Sequence, residues 1–126
     1  MDQQTTNHNL IRGTIQTYFD AMTKGLAENV KTSFHAHGSL SGYMPGAEEI
    51  SELNQADFVA LVEEHGAGEE SGPCEDEILS IDITGKVAAV KVRLRYLDIH
   101  FTDYLLLIKD EGRWQILNKV WHADPV

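Results

Sequence analysis

The chain has 126 residues, 42% of them hydrophobic, and sets 10 Lys and Arg against 20 Asp and Glu for a net charge of −10. That length allows one domain with a single core, and the apolar content excludes wholesale disorder. An acidic excess of this size argues against a nucleic-acid partner or an anionic membrane surface, and no apolar run approaches the roughly 18 residues of a membrane span.

The opening stretch, Met1-Asp2-Gln3-Gln4-Thr5-Thr6-Asn7-His8, has neither a basic start nor an apolar segment. It reads as a flexible N-terminus over 1–8 with no signal peptide. Leu10, Ile11, Ile15, Tyr18, Phe19, Met22 and Leu26 then recur at three- and four-residue steps, the apolar stripe of a helix, and Gly25 falls near its end. A short second helix fits 27–34, with Val30 and Phe34 turned inward. A short strand fits 38–43, closed by the turn signal Met44-Pro45-Gly46. A third helix fits 55–65, with Phe58, Val59, Leu61 and Val62 on its buried side.

Residues 63–77 form an acidic, glycine-containing loop whose carboxylates lack the alternate spacing of a calcium loop. Its one cysteine, Cys74, is the only one in the chain and has no partner for an intramolecular disulfide. Flanked by Glu75 and Asp76, its thiol is a poor nucleophile. These features predict a soluble protein of a reducing cytoplasm. Four alternating segments follow, at 78–84, 86–96, 99–109 and 113–122, separated by turn residues. Helices followed by an antiparallel meander make an α+β domain over 1–126.

Facing residues can be assigned from the turns. A three-residue loop Asp110-Glu111-Gly112 pairs Lys109 with Arg113, and hence Asp103 with Lys119 and Phe101 with Trp121. A three-residue loop at Leu97-Asp98-Ile99 pairs Tyr96 with His100, and hence Arg93 with Asp103. One face then carries Arg93, Asp103 and Lys119, bordered by Arg95, Phe101, Leu105, Leu117 and Trp121. The other carries Val90, Val92, Leu94, Tyr104, Trp114, Ile116 and Val120. A one-residue slip would move a strand's whole set to the opposite face. Because both faces are apolar, one should meet the helices and the other a second copy of the chain, a homodimer formed through Tyr104, Trp114 and Ile116.

The chain resembles the nuclear-transport-factor-2-like superfamily, and within it the family of small proteins described as putative lumazine-binding. The carriers are Tyr18-Phe19, Ser33-Phe34-His35, Ile81-Asp82-Ile83 with Gly85, Phe101-Thr102-Asp103-Tyr104-Leu105, and Gly112-Arg113-Trp114-Gln115-Ile116 running into Asn118-Lys119-Val120-Trp121. The resemblance implies a cystatin-like cone, with N-terminal helices packed on a curved, mainly antiparallel sheet. It also implies that Trp121 faces the cone's cavity and that Tyr18 matches a hydrogen-bond donor of ketosteroid isomerase. That isomerase's first-strand carboxylate has no counterpart in Ser41-Gly42-Tyr43, which argues against the steroid reaction.

By parity with Trp121, the cavity should hold Arg93, Asp103, Leu117 and Lys119, with Phe101 and Tyr43 as further ligand-binding candidates. Two readings of the charged cluster stand open: a polar floor for an anionic or carbonyl-bearing small molecule, or a cross-strand ion pair that only satisfies itself. Between two cations Asp103 should have a lowered pKa, which favours binding over proton abstraction. A catalytic alternative is a cofactor-free isomerase, dehydratase or cyclase with His35 or Asp103 as base and Tyr18 as donor. His35 and His37 lie two apart, but no third metal ligand is near them in sequence. No phosphate loop, dinucleotide fingerprint or nucleophile elbow occurs, so neither a cofactor nor a metal is expected.

Overall fold

A computed structural model describes residues 3–66 and 76–125; Cys74 and most of the predicted acidic loop lie outside the described residues. The elements run α1 (Gln3–Thr23), α2 (Ala27–Ser33), β1 (Phe34–Tyr43), β2 (Ser51–Asn54), α3 (Gln55–His65), β3 (Glu77–Thr84), β4 (Val87–Tyr96), β5 (Ile99–Asp110) and β6 (Arg113–Pro125). The described strands form one six-stranded sheet in the order β2-β1-β6-β5-β4-β3. All pairings are antiparallel except β1 with β6. The three helices cover one face, and no described helix is long and apolar enough to cross a membrane.

The helix boundaries follow local chemistry. Asn54 and Asp57 cap α3 reciprocally: the Asn54 side chain accepts from the Asp57 amide at 2.8 Å, and the Asp57 carboxylate accepts from the Asn54 amide at 3.1 Å. The apolar stripe of α1 buries Ile11, Ile15, Tyr18, Phe19 and Met22 against the sheet. Burial of each is worth about 1.5–3 kcal/mol before entropy. Of the flexible N-terminus expected over 1–8, residues 3–8 are instead the first turns of α1, and residues 1–2 lie outside the described residues. Asn7 is buried there, and its carbonyl accepts from Trp114 Nε1 and Lys109 Nζ, both at 3.2 Å. That anchor lies a hundred residues away in sequence, so no local pattern announces it.

Two turns differ from the expected three-residue loops, and the difference decides what faces where. Leu97-Asp98 and Glu111-Gly112 are two-residue turns with positive φ at both positions: 51° and 59°, 52° and 78°. This backbone matches the twist of the flanking strands, but only Gly112 adopts it without steric cost. At the first turn Tyr96 therefore pairs with Ile99, and Arg93 with Thr102. That is a one-residue slip, and it reverses β4: Ala88, Val90, Val92, Leu94 and Tyr96 point inward, while Arg93 points outward.

At the second turn Asp110 pairs with Arg113, but the register shifts again between Leu106 and Leu107. Leu117 is the extra residue of a bulge, which switches the phase of β6. Before it Trp114 and Ile116 point inward; after it Lys119, Trp121 and Ala123 do. Trp114 and Ile116 thus cannot form the outer face assigned to them, and Leu117 leaves the inner face. Asp103 now pairs with Trp121, and Leu105 with Lys119. Turn and bulge together displace the expected pairing by two residues, so Asp103, Lys119 and Trp121 stay on one face. The outer face keeps Tyr104, Leu106 and Val120, each more than half exposed.

Candidate functional site

Three elements bring one cluster together beneath the helices. Tyr18 on α1, Asp103 on β5 and Lys119 on β6 are all buried, at 0%, 0% and 4% exposure. The Tyr18 hydroxyl donates to Asp103 Oδ2 at 2.5 Å, and Lys119 Nζ lies 3.8 Å from the same oxygen. Lys119 and Asp103 are diagonal neighbours across the β5–β6 ladder, which accounts for the longer separation. The ammonium sits among aromatic rings instead: its Nζ is 4.9 Å from the Phe58 ring centre, 5.0 Å from Tyr18, 5.4 Å from Trp121 and 5.9 Å from Phe101. Ring faces at such distances attract a cation, and the attraction strengthens where water is excluded.

Burial dominates the proton affinities. It pushes the Asp103 carboxyl up from its ordinary value, against the downward pull of Lys119 and the Tyr18 hydrogen bond. It pulls the Lys119 ammonium down, against the opposing effect of Asp103. The Tyr18 phenol is raised well above its ordinary value by burial and by the Asp103 charge. The lowered Asp103 pKa expected from two flanking cations does not arise, because Arg93 is on the other face and desolvation outweighs one ammonium. Both members of the pair thereby shift toward their neutral forms. Asp103 Oδ1 and Trp121 Nε1 are buried with no hydrogen-bond partner among the described residues.

Lys119 and Trp121 form the polar end of a cavity of about 220 Å³. Its other walls are apolar, from Met22, Leu40, Phe58, Leu61 and Phe101, and it extends toward His65, Leu97 and Ile99. Gly42 of β1 makes room for the Trp121 indole, since a Cβ there would overlap the ring and the Trp121 carbonyl. A separate cleft of about 280 Å³ near Thr14, Thr17 and Arg113 contains no buried charged group.

Of the residues singled out from sequence, Phe101, Lys119 and Trp121 line this cavity, and Tyr18 and Asp103 lie behind its wall, next to Lys119. The others lie elsewhere. Arg93 is exposed and ion-paired with Glu77 at 2.7 Å. Leu117 lines an outer groove with Leu106 and Val87. Tyr43 is 41% exposed and absent from the cavity wall. His35 pairs with Asp110 at 3.0 Å, at the end of the sheet opposite the cavity, and its Nδ1 accepts from the His37 amide at 3.1 Å. Among the described residues no group of three or more His, Cys, Asp and Glu gathers in a metal-binding arrangement. Phe58 and His65 were missed as cavity residues. Phe58 carried only a helix-core signal, and His65 is brought to the cavity by the packing of α3.

A cone of helices on a curved sheet, with a cavity opening between them, defines the nuclear-transport-factor-2-like class. The chain belongs to the family described as putative lumazine-binding, whose profile matches residues 6–122. It is similar in structure to an NTF2-like protein of unknown function from Silicibacter pomeroyi DSS-3. There the TM-score is 0.87 and the identity 24%, over 97% of this chain and 99% of that one. An NTF2-like protein of unknown function from Methylobacillus flagellatus KT gives 0.84 and 26%, over 94% and 92%. In sequence the chain is 25% identical to the aldolase FrzH of Cladobotryum sp. over 121 residues, 96% of this chain and 94% of that protein.

Proposed function

We propose that the cavity binds a small, mostly apolar molecule bearing a carbonyl or enolate oxygen, with that oxygen directed at Lys119. The observation that carries this reading is a 4%-exposed lysine on the wall of a mostly apolar 220 Å³ cavity, with its ion partner Asp103 3.8 Å away. A neutral hydrophobic ligand would leave the ammonium unsatisfied, whereas a carbonyl oxygen would accept from it. The volume lies below the roughly 300 Å³ at which pockets for drug-sized ligands begin, so a single ring or short chain fits. The partner in assembly is a second copy of the chain, meeting it through the outer face at Tyr104, Leu106 and Val120.

Thermal shift with cyclohexanone and benzaldehyde, against cyclohexanol and benzyl alcohol, tests the ligand class. The carbonyl compounds should raise Tm more than their alcohols, and Lys119→Met should erase that preference. Equal shifts from both series would remove the reading.

A catalytic reading is supported by the full-length likeness to an aldolase and by the upward shift of Asp103. On it, the protein is a cofactor-independent lyase or isomerase with Asp103, held by Tyr18, as the proton-transfer group. His35 drops out of this role because it faces Asp110. Exchange of ligand α-protons with deuterated solvent, abolished by Asp103→Asn, distinguishes catalysis from binding alone.

A further inference from the structure

The neighbourhood of Lys119 assigns it more than a hydrogen-bonding role. We propose that Lys119 is a covalent nucleophile whose amine condenses with the carbonyl carbon of the cavity ligand to form an imine. The inference rests on the carbonyl-binding reading above and deepens it.

Position comes first. Lys119 is the buried lysine among the described residues, and it is also the lysine that lines the apolar cavity. A carbonyl bound in that cavity can reach its Nζ at the wall. The nearest carboxylate oxygen stands at 3.8 Å, beyond hydrogen-bond reach, so no direct hydrogen bond to Asp103 holds the amine away from the ligand. The four surrounding rings exclude water from the nitrogen, and although their faces attract the ammonium, burial acts against its charge. A lysine becomes a nucleophile only after losing its proton, and desolvation here acts in that direction on Lys119 and in the accepting direction on Asp103.

The proton has a defined place to go. In the neutral pair it resides on Asp103, whose Oδ2 is fixed by the Tyr18 hydroxyl and whose Oδ1 is unpartnered among the described residues. The Lys119 lone pair attacks the carbonyl carbon and forms the C–N bond. The carbonyl π electrons pass to oxygen, and a proton moves from nitrogen to that oxygen, giving a carbinolamine. Asp103 then donates its proton to the hydroxyl, the C–O bond breaks, and water leaves. The product is a protonated imine beside the Asp103 carboxylate, an ion pair that replaces the Lys–Asp pair. The same carboxylate can next take an α-proton: the C–H electrons form C=C and the C=N π electrons return to nitrogen, giving an enamine. Hydrolysis runs the condensation backwards and frees the amine.

The test is reductive trapping of the full chain with benzaldehyde and sodium borohydride at neutral pH, read by intact mass and peptide mapping. The expected result is a single benzylated residue, Lys119, modified at least about tenfold faster than any exposed lysine. Acetylacetone, which forms a conjugated enaminone with an uncharged lysine, should give a near-ultraviolet band with the wild-type chain. Lys119→Arg keeps a cation but has no condensable amine. It should lose both signals. Adducts confined to exposed lysines, together with a preserved Tm rise, overturn the imine and leave carbonyl binding standing. Loss of both the adduct and the Tm rise in wild type overturns both. Because the peptide map is made on the wild-type chain, it decides the matter even if Lys119→Arg fails to fold.

Discussion

Asp103 and Lys119 are each costly to bury, and each makes the other tolerable. Removing one strands its partner in an apolar site, while removing both leaves a hydrophobic gap that neighbouring side chains can fill. Asp103→Leu and Lys119→Met should therefore each cost about 3–5 kcal/mol in urea unfolding. The double variant should be less destabilised than the sum by about 1–3 kcal/mol. Strict additivity would show that the two groups do not interact.

Asp76 makes a second prediction at this scale. Its carboxyl is pushed up to about 6 from 3.8 by burial, with the Asp20 charge adding to the shift. The folded state thus holds the proton more tightly than the unfolded chain does. The associated stability is complete below about pH 4 and is lost as pH rises through about 6. Asp76→Asn should remove that loss. It should match wild type near pH 4 and exceed it by about 1 kcal/mol near pH 8, a figure discounted for the group's partial exposure. Tm measured across this range checks the sign.

Among elements, the contact of β1 with β6 shapes the cavity wall. Gly42 pairs with Trp121 in the parallel ladder, and the indole occupies the space a side chain at 42 would need. Gly42→Ala should destabilise the protein by about 1–3 kcal/mol, since backbone as well as ring must move. It should also change tryptophan emission and weaken carbonyl binding. An unchanged spectrum and Tm would mean that the wall relaxes freely. The β6 bulge has a related effect over a longer span. With Leu117 as the unpaired residue, β6 buries Trp114 and Ile116 under α1 at one end and aims Lys119 and Trp121 into the cavity at the other. A regular strand could not do both, because strict alternation would place one set outside.

The whole molecule presents one helix-covered face and one open face. On the open face Tyr104, Leu106 and Val120 are 57%, 51% and 56% exposed. A stable dimer buries on the order of 800 Å² per partner, and an outer sheet face of this apolar character suits it. Val120→Glu should convert the proposed dimer to monomer in sedimentation velocity while leaving the far-ultraviolet circular dichroism unchanged. A wild-type chain that sediments as a monomer would remove the assembly proposal and leave the cavity as described.

Periodicity alone marked out the helices and β3–β6, because side-chain spacing of 3.6 or 2 residues is a local property visible in any window. The apolar stripe of α1 and the span of α3 are cases in point. The choice of face was not local. It turned on Leu97, Asp98 and Glu111 accepting positive φ and on an unpaired Leu117, none of which has a composition signature. Trp121, Lys119 and Asp103 could be grouped from sequence because turn and bulge shift their pairing by an even number, whereas the odd slip at β4 carried Arg93 away. The charge balance of those grouped residues was decided by the tertiary structure. Only the packed helices remove water from Asp103 and Lys119, and only that removal moves the proton affinities of a pair that would be an ordinary ion pair on an open strand.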